Sequence, residues 1–137
     1  MIIEKPIGPH TFCFEEPDIF VARFHGPLEA DHVRALSRAR AEHGRDLPYI
    51  LFLADQTHLG DTSAEARRAF REEGRSHLPS ATAIVGASRT MRVLADLAFR
   101  AINFFRRDPV HFRFFEDEAS ARAWLNEMRP VLVRAVA

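Results

Sequence analysis

Tyr49 to Ala54 reads Tyr-Ile-Leu-Phe-Leu-Ala, six residues with no charge and no polar–apolar alternation. A strand wetted on one face alternates; a continuous apolar run suits a strand covered on both faces, as in a parallel sheet between helices. Ala81 to Gly86 (Ala-Thr-Ala-Ile-Val-Gly) is a second run of this kind. Such strands need helices on both sides of the sheet, and the intervening segments carry helical spacing.

The chain opens with an extended lead-in, residues 1–9, that contains Pro6 and Pro9. His10 to Glu15 alternates through Phe12 and Phe14, and Asp18 to Gly26 through Phe20, Ala22 and Phe24. Glu16-Pro17 between them predicts an antiparallel hairpin. Gly26-Pro27 is expected to open a helix with Leu28, Val33, Leu36 and Ala39 facing inward and Gly44 as its stop. After Tyr49–Ala54, residues Thr57 to Gly60 read as loop. Asp61 or Thr62 then caps a helix, with Thr62 and Glu65 in capping-box spacing, Ala66, Ala69 and Phe70 inward and Gly74 at its end. Ser88 caps a long helix from Arg89 to Arg107, closed by Asp108-Pro109. Val110 to Phe115 is the last strand, and Glu116 to Met128 is a final helix ahead of Pro130.

The order is β-β-α-β-α-β-α-β-α: an α/β fold with a mixed, mainly parallel sheet of about five strands and four helices. A chain of 137 residues supports one core, so residues 10–137 are expected to form a single domain. Nineteen basic residues balance nineteen acidic ones, which removes any global field for nucleic acid. No apolar run reaches the roughly 18 residues of a membrane span, and the start does not read as a signal peptide. The lone cysteine, Cys13, is expected in the core, and its solitude fits a reducing cytoplasm. The seven histidines, His77 among them, form no H-x-x-x-H or H-E-x-x-H pair, so neither a metal nor a cofactor is expected.

Four stretches resemble one known family. Ile19-Phe20-Val21-Ala22-Arg23-Phe24-His25-Gly26 is similar to its second strand, Tyr49 to Asp55 to its central strand, and Ala83-Ile84-Val85-Gly86 with the long helix to a later strand–helix unit. Val110-His111-Phe112-Arg113-Phe114-Phe115, followed by Glu118, Ala119, Ala123, Trp124 and Leu125, is similar to its ending. The family is the STAS domain, and within it the stand-alone SpoIIAA-like group of small bacterial proteins, related to CRAL-TRIO-type lipid-binding domains. Anti-sigma-factor antagonists of this family carry Asp-Ser-Ser-Gly at the second helix, its second serine phosphorylated by a partner kinase. Asp61-Thr62-Ser63-Ala64 matches that segment, with Ala64 in place of the glycine. The resemblance thus implies Ser63, with Thr62 beside it, as a phosphorylation site. A phosphate there would meet the free N–H groups of a helix start; plain capping is the other reading of both residues.

Two further places carry candidate residues. Asp55, Thr57, His58 and Asp61 lie after the central strand, where α/β sheets bind ligands; they suit a polar ligand or partner, or acid–base chemistry with Ser63 or Thr57 as nucleophile. The long helix has two apolar stripes, Met91-Leu94-Ala98-Ala101-Phe105 and Val93-Leu97-Phe104, where one would serve a surface helix. The second, with Arg100, is a candidate interface for a homodimer or protein partner, a lining for a lipid or apolar ligand, or additional core. Gly86-Ala87-Ser88 lacks both common phosphate-loop patterns. The leading expectation is a non-enzymatic regulatory or protein-interaction module, switched by phosphorylation or a small ligand. The alternative is a carrier of lipid or small apolar ligand that uses the long helix, and an enzyme built on Asp55, His58 and Ser63 comes third.

Overall fold

Phe20, Ala22 and Phe24 alternate with Ile19 and Val21 along one strand, and the two sets enter different cores. That division organises the whole computed structural model, which describes residues 4–73 and 78–136. Lys5–Ile7 (β1), His10–Glu15 (β2) and Ile19–Leu28 (β3) form an antiparallel meander. Ala30–His43 (α1), Ile50–Thr62 (β4), Ala64–Glu73 (α2), Ser80–Val85 (β5), Arg89–Asn103 (α3), Val110–Phe115 (β6) and Glu118–Ala135 (α4) follow. The sheet runs β1-β2-β3-β4-β5-β6, with β3 to β6 parallel. The lead-in thus supplies a sixth strand, β1, paired to β2 through Pro6 and Thr11.

Sequential winding in one direction, with right-handed crossovers, places successive helices on the same face. On that face Leu36 of α1 packs with Phe20, Ala22, Phe24, Phe52 and Ala54, and Phe99 of α3 with Ile84 and Val110. The other face belongs to α4, whose Ala121, Leu125 and Leu132 cover Val21, Leu51, Leu53, Ala81, Ala83 and Val85. Cys13 lies in this second core, and Trp124 packs against it. The apolar run at Tyr49 is therefore a strand buried from both sides, as its composition required.

Several boundaries differ from the sequence expectation. The first helix starts at Ala30 because Gly26 takes φ +86° and β3 continues past Pro27; Glu29 and His32 form the capping box. Thr57 to Gly60 is strand, since β4 pairs with β3 out to Leu28–Thr62. Gly60 is required there, because a Cβ would sit 2.8 Å from the carbonyl carbon of Gly26. The capping box expected of Thr62 and Glu65 is replaced by Ser63, whose Oγ accepts the Ala66 N–H at 3.0 Å. The long helix stops at Asn103, whose side chain turns to accept the N–H and donate to the carbonyl of Val110. The last helix runs on through Pro130 to Ala135. Gly74, the expected end of α2, and His77 lie outside the described residues. Among the described residues, no helix is long and apolar enough to cross a membrane.

Buried polar groups tie the layers together. Asp18, 1% exposed, accepts both Nε and Nη2 of Arg129 at 2.7 and 2.9 Å and the Tyr49 hydroxyl at 2.7 Å. Burial alone would raise its carboxyl, but Arg129 and Tyr49 hold it below the usual range. His10, fully buried, donates Nε2–H to the Pro27 carbonyl and accepts the His25 N–H on Nδ1, both at 3.0 Å. Both nitrogens are thus used by the neutral ring. Burial pushes its pKa below 6.5, the Pro27 bond offsets part of this, and His32 and His25 add repulsion. The unfolded chain therefore takes up a proton first as pH falls, and this contribution to stability shrinks from pH about 6.5 downward. Urea midpoints at pH 7.5 and 5.5 should differ less in His10→Asn than in the native chain; an unchanged pH dependence would place the effect elsewhere.

Candidate functional site

Between the sheet and the helices α1, α2 and α3 lies a cavity of about 330 Å³, whereas protein interiors otherwise carry few voids larger than a water. Its cause is visible in the residues. Ala66, Ala95 and Ala98 face it from the helices, and Ala54, Ser80 and Thr82 face it from the strands. Small side chains on both walls leave the middle unfilled, while α2 rests on α1 and α3. Phe24, Leu36, Phe52, Phe70, Ile84 and Phe99 belong to the same wall, and the lining is predominantly apolar. Its size lies within the range of small-molecule sites.

Polar groups stand at its two ends. Near the carboxyl ends of the strands is Gln56, whose buried Oε1 finds no hydrogen-bond partner among the described residues. An orphaned buried acceptor costs about 1–3 kcal/mol and is what a ligand donor would satisfy. Near the amino ends stand Arg40, Arg71, Glu73 and Arg106. Glu73 accepts the Ser37 hydroxyl at 3.0 Å, and Arg106 donates to the carbonyls of Leu78 and Asp108 at 2.9 Å. The Arg40 guanidinium lies 5.9 Å from the centre of the Phe52 ring. Burial pulls its pKa below the ordinary value, and Glu73 opposes that in part.

The residues singled out from sequence divide around this cavity. Along β4, Ile50, Phe52, Ala54 and Gln56 face it, and Asp55 and Thr57 belong to the alternate set. Thr57 donates its N–H and Oγ–H to Asp55 at 3.1 and 2.7 Å. Asp55 also pairs with Arg23 at 3.1 Å, and Arg23 reaches Glu118 on α4 at 2.6 Å. Burial would raise the Asp55 carboxyl, but Thr57 and Arg23 hold it below the usual range. His58 is exposed and stacks on His25 at 5.6 Å, and Asp61 is exposed. The hydrogen bonds of Asp55 and Ser63 lead to other groups, so the Asp55–His58–Ser63 constellation is not assembled.

Ser63 is the N-terminal cap of α2, half-buried, and its N–H donates to the Leu28 carbonyl at 3.2 Å. Thr62 lines the cavity, with its hydroxyl 3.8 Å from the Met91 sulfur. On α3, Met91, Leu94 and Ala98 line the cavity, whereas Phe105 is 89% exposed and Ala101 is exposed too, so the apolar stripe read through all five divides between cavity and solvent. The packed side is Ala95, Phe99 and Ile102, because the apolar arc opposite Arg89, Arg92, Asp96 and Arg100 is wide enough that spacing alone leaves open which part of it meets the sheet. Val93, Leu97 and Phe104 are 56%, 60% and 79% exposed. Leu97 also lines the cavity. Arg100 is exposed and holds Asp96 at 2.7 Å. Gln56 and Arg40 escaped the sequence reading. Alternation with Phe52 and Ala54 points to the first, and the spacing Val33-Leu36-Arg40 points to the second.

Neither a family model nor a curated protein matches the sequence. Solved structures do. One is a crystal structure of an uncharacterized protein of the DUF3478 family, with a SpoIIAA-like fold, from Shewanella loihica PV-4. It is 24% identical, with a TM-score of 0.60, over 91% of this chain and 92% of that one. Another is the anti-sigma factor antagonist SpoIIAA in its unphosphorylated form, 12% identical, with a TM-score of 0.50, over 92% of this chain and 98% of the other. The meander, the three one-sided crossovers and the closing helix thus give this chain a SpoIIAA-like fold.

Proposed function

We propose that this domain binds a lipid or small apolar ligand between α1, α2, α3 and the sheet, and acts as a regulatory module without catalysing a reaction. The observation that carries the reading is the apolar cavity itself, since a module acting only through its surface needs a filled core. The cavity favours the carrier over the pure interaction module. It also offers a route from ligand to partner: Leu97 belongs to both the cavity wall and the exposed Val93-Leu97-Phe104 patch. Thr62, on the cavity wall, directly precedes Ser63, so a phosphate at Ser63 would act on the same helix start.

Native mass spectrometry of freshly purified protein tests this. A co-purifying apolar molecule, lost on delipidation with a fall in Tm, is the expected result; a bare chain whose Tm no lipid extract shifts would overturn it. Substituting Val93, Leu97 and Phe104 together by serine should weaken self-association or partner capture and leave the unfolding midpoint within about 0.5 kcal/mol, as for exposed sites. Sedimentation velocity with urea titration reads both, and unchanged sedimentation would remove the patch from the mechanism.

A further inference from the structure

The geometry points to an amphipathic monocarboxylate as the ligand, its carboxylate on Arg40 and its aliphatic body along Phe52 and Ile84. This inference rests on the cavity being a ligand site, and adds which end of the ligand goes where and what charge it bears.

Arg40 sits on the inner stripe of α1, a position that a helix facing an apolar core would give to leucine. Among the described residues, four arginines line the cavity. Arg67 donates to the Thr62 carbonyl at 2.7 Å, Arg106 donates to the carbonyls of Leu78 and Asp108, and Arg71 is exposed. The Arg40 guanidinium makes no hydrogen bond or salt bridge among the described residues; it has the Phe52 ring and the more distant charge of Glu73. Arg40 is half-buried; a guanidinium carries five donors in a planar fork, and those turned into the cavity want acceptors. A carboxylate matches that fork with two parallel bonds.

The surroundings select the charge. Arg40, Arg71 and Arg106 outnumber the single carboxylate of Glu73 at this end of the cavity, so an anion is attracted. Glu73 nevertheless disfavours a second negative charge, which argues for a carboxylate over a phosphate monoester. The opposite end offers the unpartnered Gln56 Oε1, an acceptor that repels an anion, and Arg67 there is already engaged with the Thr62 carbonyl. From Phe52 to Gln56 is four residues of strand, about 13 Å, which sets the reach of the chain beyond the headgroup. Arg40, with its guanidinium uncommitted, is thus the cation that offers most to the anionic end, and the apolar walls take the rest.

Isothermal titration of the full chain, delipidated, with decanoate, decanol and decyl phosphate at pH 7.5 decides the matter. Decanoate should bind at least about tenfold more tightly than decanol, the scale of one charge-assisted bidentate pair. Arg40→Met should weaken decanoate to the level of decanol, with circular dichroism showing that the variant is folded; Arg40→Lys should restore part of the preference. Equal binding of decanoate and decanol by the native chain would overturn the carboxylate assignment and leave the apolar site standing. Tighter binding of decyl phosphate than of decanoate would overturn the choice of carboxylate. If none of the three binds, both the assignment and the ligand site are wrong.

Discussion

Replacing Arg129 by methionine should lower stability by about 3–5 kcal/mol, the cost of stranding a buried charge whose partner is removed. Asp18 would keep only the Tyr49 hydroxyl, with 1% of its surface exposed to water. Methionine preserves much of the aliphatic volume, so the loss reports the charge more than the packing. In the native chain the depressed Asp18 pKa contributes stability above the unfolded value of about 3.9, and that contribution is lost as pH falls below it. In Arg129→Met the unpaired carboxyl titrates upward, so the deficit against the native chain should narrow as pH falls from 7 to 5. Urea unfolding at both pH values measures this. The double variant Asp18→Asn/Arg129→Met should recover part of the loss, and a double variant no better than the single would show that packing of the arginine stem dominates.

Gly86→Ala should be the most damaging single methyl addition in the sheet. Gly86 closes β5 with φ +71°, and a Cβ there would meet the Thr57 hydroxyl and lie 2.9 Å from the Thr57 Cα. The left-handed backbone costs about 1–2 kcal/mol for a residue with a Cβ, and overpacking adds about 1–3 kcal/mol. Gly26 is the internal control: its φ is +86°, yet nothing lies within 4 Å of a built Cβ. Gly26→Ala should thus lose only the backbone part, about 1–2 kcal/mol. Denaturant midpoints of the two variants give the contact energy by difference. Equal losses would mean that Thr57 moves aside freely.

The parallel sheet was legible because burial on both faces leaves a signature that no other strand environment produces. Tyr49–Ala54 and Ala81–Gly86 carried it, and the hairpin followed from Phe12, Phe14, Phe20, Ala22 and Phe24. Local signals failed where a distant backbone decided the outcome. Thr57-His58-Leu59-Gly60 has turn composition, yet it is held as strand by β3, whose Gly26 crowds Gly60. The stop of α3 depends on Asn103 reaching Val110, a contact that periodicity cannot express. The cavity is harder still, because it is made of what is missing. Alanines at 54, 66, 95 and 98 each look like ordinary small core residues, and only their meeting across two layers creates a space. Arg40 and Gln56 gain meaning only once that space is known.

The strictly sequential strand order also sets the order in which this molecule can be finished during synthesis. Each strand from β2 onward can dock on its predecessor as it emerges, and α1 to α3 can cover their face as they appear. The opposite face has no cover until α4 is made, and Asp18 must wait for an arginine 111 positions later in the chain. At about 5–20 residues per second, that wait lasts on the order of ten seconds. From the completion of β5 until α4 is made, a nascent chain would present Leu51, Leu53, Ala81 and Ala83 as a bare apolar sheet, the kind of surface that holding chaperones bind.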